Sequence, residues 1–150
     1  MVAIWVPLAA LSPAFGAYTL AYGRPLDVEP RRELALGATA SWHAMFGQPL
    51  KLVAGSEKLA AAVTFYSPDA PSYYIFDRPE YSPWVTREAL QRDGLLIVCS
   101  RGDRGCLSRA APLIEPDGLH ASQEFARSFL GHAAAGQTYD LFTLPPASLR

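Results

Sequence analysis

Five consecutive apolar residues, Leu95–Cys99, restrict the fold more than any other segment of the sequence. A strand with one face in solvent alternates apolar and polar residues, whereas this run is apolar throughout, as in the centre of a parallel sheet. Leu50–Ala54 and Ser72–Phe76 have the length and composition of two further strands. Because parallel neighbours need a crossover between them, these spacings predict an α/β fold.

Helical patterns precede the first predicted strand and fill the two crossovers. Pro30 suits the first turn of a helix, and apolar residues follow it at helical spacing, namely Leu34, Ala38, Trp42, Met45 and Phe46. A second helix is predicted over Glu57–Tyr66 with Ser56 as its N-cap, and a third runs from a Thr86 cap through Arg92. Strands and helices then alternate as two βαβ units with right-handed crossovers.

The C-terminal part of the chain is predicted to add an antiparallel hairpin. Its strands are Glu124–Leu130 and Tyr139–Leu144, joined by Gly131–Gln137, and a helix over Ser122–Ala135 is the rival interpretation. A short helix over Cys106–Ala111 precedes them. The predicted fold class is therefore α/β: a small three-layer sandwich, with a mainly parallel sheet from two βαβ units and a C-terminal antiparallel hairpin.

The first 23 residues carry no charged side chain, because the first charge is Arg24. A signal peptide would begin with a basic segment, which this start lacks, and Pro7, Pro13 and Gly16 interrupt a complete membrane span. Two interpretations stay open: the end of a membrane helix, or an apolar arm packed on the domain's own core. The net charge of -1 argues against a nucleic-acid partner.

Cys99 and Cys106 are the two cysteines of the chain. Their spacing does not fit a redox pair separated by two residues, and no His or second Cys pair lies nearby in sequence to complete a metal site. In an oxidising compartment they could close a small disulfide loop, which the two intervening glycines make flexible enough. In the cytosol they would be free thiols, so the sequence leaves both states open.

Ligand sites of open α/β sheets gather at the carboxyl ends of the strands, which here are Gly55–Ser56, Asp77–Arg78 and Ser100–Arg101. The first of these turns has one glycine and no Walker lysine, so it matches neither the Gly-x-Gly-x-x-Gly dinucleotide fingerprint nor a phosphate loop. A tight turn with a serine cap is the plain alternative. These three ends are nevertheless the first place to look for a bound molecule.

Histidines, carboxylates and aromatic residues offer further candidates. His43 stands beside Trp42, and such a pair at a helix edge could stack on a sugar, although core packing also explains the Trp. Neither His43 nor His120 nor His132 has metal-ligand spacing. The region from residue 69 to residue 93 is rich in carboxylates that could act on a glycoside or simply face solvent, with aromatic residues among them: Asp69, Asp77, Glu80, Asp93, Tyr73, Tyr74, Tyr81 and Trp84.

Several short strings occur in a characteristic order. They are Trp42-His43, Phe46-Gly-Gln-Pro-Leu50, Val53-Ala-Gly55, Phe65-Tyr-Ser-Pro-Asp69 with Pro71, Ser82-Pro-Trp-Val85 and Phe142-Thr-Leu-Pro-Pro146. Together they resemble the C-terminal periplasmic domain of bacterial membrane glycosyltransferases of family 39. Those enzymes are similar to dolichyl-phosphate-mannose protein mannosyltransferases and to rhizobial lipopolysaccharide-core glycosyltransferases.

The resemblance implies a transferase that moves a sugar from a polyprenyl-phosphate donor to lipopolysaccharide or another cell-envelope acceptor. It implies that residues 1–26 are the end of the last transmembrane helix plus a linker. Residues 27–150 would then be one soluble domain in the periplasm, belonging to a bacterial inner-membrane protein. The catalytic residue of that class lies on an earlier loop, so no catalytic residue, cofactor or metal is expected in this chain. The expected partners are the protein's own transmembrane domain and a polyprenyl-phosphate sugar or glycan acceptor.

The matching strings cluster around two loops and one helix end, where the expected ligand contacts are Trp42, His43, Tyr66, Asp69, Ser82 and Trp84. Two other functions stay open. A purely structural scaffold packed on the membrane domain would bury Trp42, Tyr66 and Trp84 and offer no polar pocket. An independent α/β domain would bind a small molecule, or would be a small enzyme with Cys99 or a carboxylate as catalyst. An intact disulfide would exclude the cysteine version of that enzyme.

Overall fold

A five-stranded mixed sheet with helices forms the core in the computed structural model, which describes residues 11–16, 18, 29–114, 118–129 and 132–149. The α/β class predicted from the sequence is confirmed. The helices with assigned bounds are α1 (Arg31–Phe46), α2 (Glu57–Tyr66), α3 (Arg87–Asp93) and α4 (Arg104–Ile114), with short 3-10 turns at Pro79–Tyr81 and Ala147–Leu149. The strands are β1 (Leu52–Gly55), β2 (Ser72–Tyr73), β3 (Leu95–Ser100), β4 (Leu119–Phe125), β5 (Ser128–Phe129), β6 (His132–Ala133) and β7 (Gln137–Leu144).

The apolar lead-in predicted over 1–26 falls mostly outside the described residues. Residues 11–16 and 18 are helical. No helix in the described part of the chain has both the length and the apolar content needed to cross a membrane.

Parallel and antiparallel pairings share the main sheet, whose strand order is β2-β1-β3-β7-β4. β1 runs parallel to β2 and to β3, with Ala54 opposite Ile97. β7 pairs antiparallel with β3, which places Phe142 opposite Ile97, and β4 pairs antiparallel with β7. The expectation of a mainly parallel sheet is therefore wrong. The two parallel pairings, β1 with β2 and β1 with β3, are matched by two antiparallel pairings, β3 with β7 and β7 with β4.

The predicted antiparallel pair exists, but its first strand begins earlier in the chain than the sequence indicated. β4 pairs with β7 from Leu119, opposite Thr143, onward, whereas the predicted strand began at Glu124. Most of β4 is exposed, so it lacks the apolar alternation by which half-buried strands are recognised. β5 and β6 form a separate two-stranded ribbon in the connection, and the described residues between 122 and 135 contain no helix.

Two apolar clusters lie on the two faces of the sheet. One contains the buried residues of α1 and α2 packed on the strands: Leu34, Ala35, Ala38, Trp42, Leu59, Ala60 and Val63 against Val53, Leu96, Val98, Tyr139 and Leu141. The other contains residues of α3 and α4: Ala89, Cys106 and Ala110 against Ala54, Leu95, Ile97 and Cys99. The predicted α1 stripe is wrong at Met45, which is 46% exposed because it borders an open cavity.

Local hydrogen bonds explain where the helices begin and end. Thr86 caps α3 as predicted, since its Oγ1 accepts a hydrogen bond of 3.2 Å from the Ala89 N–H. Gly47 ends α1 in the left-handed conformation. Ser56 occupies the N-cap position of α2 as predicted, but its side chain makes no capping hydrogen bond, and its hydroxyl donates to Asp103.

Candidate functional site

A cleft of about 410 Å³ opens at the carboxyl ends of the parallel strands. β1 and β3 are neighbours, yet the helices that follow them belong to different core clusters, α2 on one face of the sheet and α4 on the other. Chain segments that diverge in this way leave a crevice, which is the usual ligand position in open α/β sheets. We call this the strand-end cleft, and its lining includes Ser56, Tyr73, Phe76, Asp77, Tyr81 and Arg109.

Gly55 brings the end of β1 close to β3. Its φ of 133° lies in the region that favours glycine, and a Cβ atom at this position would collide with the Val98 carbonyl oxygen. The close approach lets the Ser56 N–H donate a hydrogen bond of 3.1 Å to the same oxygen. Glycine at position 55 therefore permits the turn that directs Ser56 toward the cleft.

Ser56 is joined to Asp103 across the gap between β1 and β3. The Ser56 hydroxyl donates to Asp103 Oδ2 at 2.9 Å, and the Cys106 N–H donates to Oδ1 at 3.0 Å. Hydrogen bonds to the charged form of a carboxyl group favour that form. The Cys106 amide first and the Ser56 hydroxyl second therefore hold the pKa of Asp103 below its ordinary value, so Asp103 is a carboxylate at neutral pH.

A disulfide between Cys99 and Cys106 ties the end of β3 to the first turns of α4, with 5.8 Å between the two Cα atoms. Both residues are buried. The bridge spans the turn that carries Asp103, and the Cys106 amide is itself a partner of that carboxylate. Cys99 has no free thiolate in this state, so an enzyme with Cys99 as its nucleophile is contradicted.

Aromatic rings and a charged pair form another wall of the cleft. Arg109 Nε lies 2.8 Å from Asp77 Oδ1, and the guanidinium carbon lies 5.7 Å from the centre of the Phe76 ring. Arg78 stands over the ring of Tyr81 in the same way, at 5.6 Å. The Asp77 and Arg109 side chains are both about half exposed, so their ion pair adds little to stability and its polar groups stay open to a ligand.

Tyr73 is the partly buried phenol of the strand-end cleft. Burial first, and then the negative charges of Glu57 and Asp77, raise the pKa of its hydroxyl. The phenol therefore keeps its proton at physiological pH and can donate it in a hydrogen bond. The cleft thus combines hydroxyl groups, carboxylates, a guanidinium and ring faces, which together suit a polyhydroxylated molecule.

The six residues suggested by the resemblance do not converge on this cleft. His43 and Asp69 are in direct contact: His43 Nε2 lies 2.6 Å from Asp69 Oδ2, and the same oxygen accepts a hydrogen bond of 2.7 Å from the Leu50 N–H. Ser82 is buried, and its Oγ accepts a hydrogen bond of 2.9 Å from the Ile75 N–H. Asp69 and Ser82 therefore hold loop backbone in place.

The aromatic members of that set differ in exposure. Trp42 is fully buried and packs edge to face on Phe46 with 4.6 Å between ring centres, so a ligand reaches it only if α1 moves. Tyr66 and Trp84 are 41% and 60% exposed. Tyr66 lines a separate polar cavity beside Arg32. Core packing therefore accounts for Trp42, whereas Tyr66 and Trp84 lie on the surface of this chain, where the scaffold hypothesis would have the membrane domain cover them.

The sequence patterns did not predict Arg109, which lines the cleft, or Asp103, which bonds the lining residue Ser56. Asp103 directly precedes α4, and its position three residues beyond the end of β3 is a signal that could have found it. Arg109 lies further along α4, and no spacing rule connects it with Asp77, although the two side chains form an ion pair.

Metal ligands do not cluster in the parts of the chain that the structure describes, where no group of three or more His, Cys, Asp or Glu is placed to hold a metal ion.

Comparisons with protein-family models, with curated proteins and with solved structures find no match to this chain.

Proposed function

We propose that this chain is a non-catalytic, extracytoplasmic domain of a membrane glycosyltransferase, and that it binds a glycan or sugar head group in the strand-end cleft. The whole enzyme would transfer a sugar from a polyprenyl-phosphate donor to lipopolysaccharide or another cell-envelope acceptor, as the resemblance of the short strings implies. The observation that carries the binding role is the cleft, with Ser56 and its partner Asp103 on one side and the Asp77–Arg109 pair on another.

The cleft has the chemistry that a sugar requires. A sugar presents hydroxyl groups around its edge and C–H groups on its faces. The half-exposed Asp77 and Arg109 side chains supply acceptors and donors for the hydroxyl groups. Tyr81 is 56% exposed and supplies a ring face for the C–H groups. A volume of about 410 Å³ lies within the range of small-molecule sites, so the cleft suits a short glycan segment.

Binding without catalysis is supported by the acid–base properties of the same residues. An efficient general acid or base has a pKa near the working pH. The pKa of Asp103 is held below its ordinary value, while that of Tyr73 is raised above its ordinary value. Both pKa values are shifted away from neutral pH, which favours a binding role for these two side chains.

The disulfide supports a location outside the cytoplasm. Disulfides persist in oxidising compartments such as the bacterial periplasm and are rare in the cytosol. We therefore propose that residues 27–150 lie in the periplasm and that residues 1–26 connect them to the inner membrane, as the end of a membrane helix plus a linker. The bond between Cys99 and Cys106 is the structural support for this part of the proposal.

The finer architecture belongs to the same proposal. The two apolar clusters, one with α1 and α2 and the other with α3 and α4, support a three-layer sandwich with the sheet as the middle layer. In such a sandwich the strand ends stay free of covering helices. This arrangement would leave the strand-end cleft accessible from the edge of the middle layer.

An NMR titration of isotope-labelled protein tests the binding role. Addition of a lipopolysaccharide-core oligosaccharide should give saturable shifts at Ser56, Asp77 and Arg109, and a lipid-phosphate mimic serves as the second ligand. Tyr81→Ala removes the exposed ring and should weaken binding about threefold to tenfold.

Tyr66→Ala is the matched control, because Tyr66 is comparably exposed but lines the polar cavity beside Arg32 and not the strand-end cleft. It should bind like the wild type. A lack of saturable shifts with both ligands would remove the binding role. Weakened binding in Tyr66→Ala alone would instead favour the ligand contacts suggested by the resemblance.

A further inference from the structure

A second cavity, of about 450 Å³, lies between α1 and the sheet near the beginning of β3. It is lined by residues of α1 that include Ala38 and Ala44, and by residues of β4 that include Ala121. Because small side chains occupy both facing walls, neither wall fills the space between them. We call this space the α1–β4 cavity.

A polar bridge holds the two walls of the α1–β4 cavity apart. Gln123 Nε2, on β4, donates a hydrogen bond of 2.9 Å to Ser41 Oγ, on α1, and both residues line the cavity. The bridge fixes the distance between the helix and the edge strand. The cavity is therefore part of the packed structure, with walls that are held in position before any ligand arrives.

Thr143 lines the α1–β4 cavity, and its buried hydroxyl has no hydrogen-bond partner among the described residues. Thr143 is 2% exposed, shares one face of β7 with Leu141, and lies opposite Leu96 and Leu119. All four of these residues line the cavity. A buried hydroxyl without a partner loses its hydrogen bonds to water and gains none in return, so it destabilises the empty site.

Charged side chains are absent from the lining of the α1–β4 cavity, apart from the titratable His120. The ring of His120 stacks on Phe142 and hydrogen-bonds Asp140, both of which belong to the opposite face of β7 from Thr143. Met45 and Leu119 are 46% and 51% exposed and give the cavity an apolar border. A charged ligand would lose its hydration here without gaining a counter-charge, so the lining selects a neutral one.

We propose that the α1–β4 cavity binds a small neutral molecule with an aliphatic body and one hydroxyl or carbonyl oxygen. The aliphatic body occupies the space between Ala38, Ala44 and Ala121, and the oxygen accepts a hydrogen bond from the Thr143 hydroxyl. The ligand thus supplies the partner that Thr143 lacks. This site is independent of the strand-end cleft, because the two share no lining residue.

A titration of the full chain with 1-octanol, followed by NMR of the methyl groups, tests this proposal. We expect saturable shifts at Ala121 and Leu141, and binding of octanoate at least about tenfold weaker because its charge is desolvated. Thr143→Val keeps the shape of the side chain and removes the hydroxyl. It should weaken 1-octanol binding about fivefold to tenfold.

Two substitutions on α1 separate the cavity from the rest of the helix. Ala44→Leu fills the space and should abolish binding of 1-octanol. Ala40→Leu makes the same change at an exposed position outside the lining and should leave binding unchanged. The proposal is overturned if 1-octanol gives no saturable shift, if Ala44→Leu binds like the wild type, or if Thr143→Val binds as tightly as the wild type. Self-association through this face, detected as a concentration-dependent mass in sedimentation, would also overturn it.

Discussion

The Ser56 hydroxyl and Asp103 Oδ2, 2.9 Å apart, join the loop after β1 to the turn after β3. The two residues are 47 positions apart in sequence, and their bond spans the point where the chain diverges to opposite faces of the sheet. Gly55 positions the donor, and the Cys99–Cys106 disulfide holds the segment that carries the acceptor. This bond and the two features that support it therefore fix the position of Ser56 at the strand-end cleft.

Ser56→Ala removes the donor of this bond. We expect the pKa of Asp103 to rise toward its ordinary value and the free energy of unfolding to fall by about 0.5–1 kcal/mol, a small value because solvent reaches the carboxylate. The folded pKa of Asp103 lies below the unfolded value of about 3.9. The stabilisation is therefore present above about pH 4 and is lost as the pH falls through the folded pKa. Urea unfolding at neutral and acidic pH measures the effect.

Ser122→Ala is the matched control for Ser56→Ala. Ser122 Oγ donates to Asp140 Oδ1 at 2.6 Å and is the largest cause of the lowered pKa of Asp140. Its replacement should raise the pKa of Asp140 and leave that of Asp103 unchanged, as carboxyl-carbon NMR can follow. An unaltered Asp103 pKa in Ser56→Ala would contradict the role given to the Ser56 hydroxyl.

The double substitution Cys99→Ala with Cys106→Ala removes the disulfide. We expect the free energy of unfolding to fall by about 2 kcal/mol, because the unfolded chain loses a constraint on a short loop. The pKa of Asp103 should rise as well, since the backbone amide of residue 106, its first partner, is no longer held in place by the bridge. Chemical reduction of the wild type should reproduce both effects. Identical urea midpoints for the oxidised and reduced protein would show that the bridge does not stabilise the fold.

Gly55→Ala introduces a methyl group where the Val98 carbonyl oxygen leaves no room, at a φ of 133° that side chains disfavour. We expect the free energy of unfolding to fall by about 3 kcal/mol or more. Gly47→Ala is the control, because Gly47 also has a positive φ, of 64°, but no atom lies within 4 Å of the added methyl. That change should cost about 1 kcal/mol. Equal losses in urea unfolding would mean that the collision at Gly55 is relieved by a backbone shift.

Local patterns in the sequence were sufficient for the central part of the fold. β3 is recognisable because all five residues of Leu95–Cys99 are buried, and α2 has the bounds that its periodicity and flanking residues predict. β4 is different, because its side chains are mostly exposed and its existence depends on pairing with β7. A strand of this kind has no apolar alternation from which it could be predicted.

The candidate site was predictable in position and not in composition. Gly55 ends β1, and Asp77 follows the predicted strand Ser72–Phe76, of which the structure forms Ser72–Tyr73 as β2, so their place at the edge of the sheet follows from the α/β class. The partners of these residues come from α4: Asp103 bonds Ser56, and Arg109 pairs with Asp77. Such contacts depend on how α4 lies against the sheet, which no local pattern in the sequence determines.

Tyr139 makes the stability sensitive to alkaline pH. Its side chain is 1% exposed, its hydroxyl donates to Gln137 Oε1 at 2.8 Å, and burial raises the pKa of Tyr139 to about 12. Because the folded pKa lies above the unfolded value of about 10, the stabilisation is present below about pH 10 and is lost as the pH rises through the folded pKa. Tyr139→Phe should flatten this dependence in urea unfolding, whereas Tyr81→Phe, at an exposed tyrosine, should retain it.

Thr143→Val should stabilise the protein in the absence of ligand, by about 1 kcal/mol, because it replaces a buried hydroxyl that has no partner among the described residues with a methyl group of similar shape. Thr39→Val is the matched control, since the Thr39 hydroxyl is also buried but donates to the Ala35 carbonyl oxygen at 2.8 Å. Its removal should destabilise the protein by about 1 kcal/mol. Opposite signs in urea unfolding are therefore expected for the same chemical change at two buried threonines. A loss of stability in Thr143→Val equal to that in Thr39→Val would mean that an ordered water molecule already satisfies Thr143 in the α1–β4 cavity.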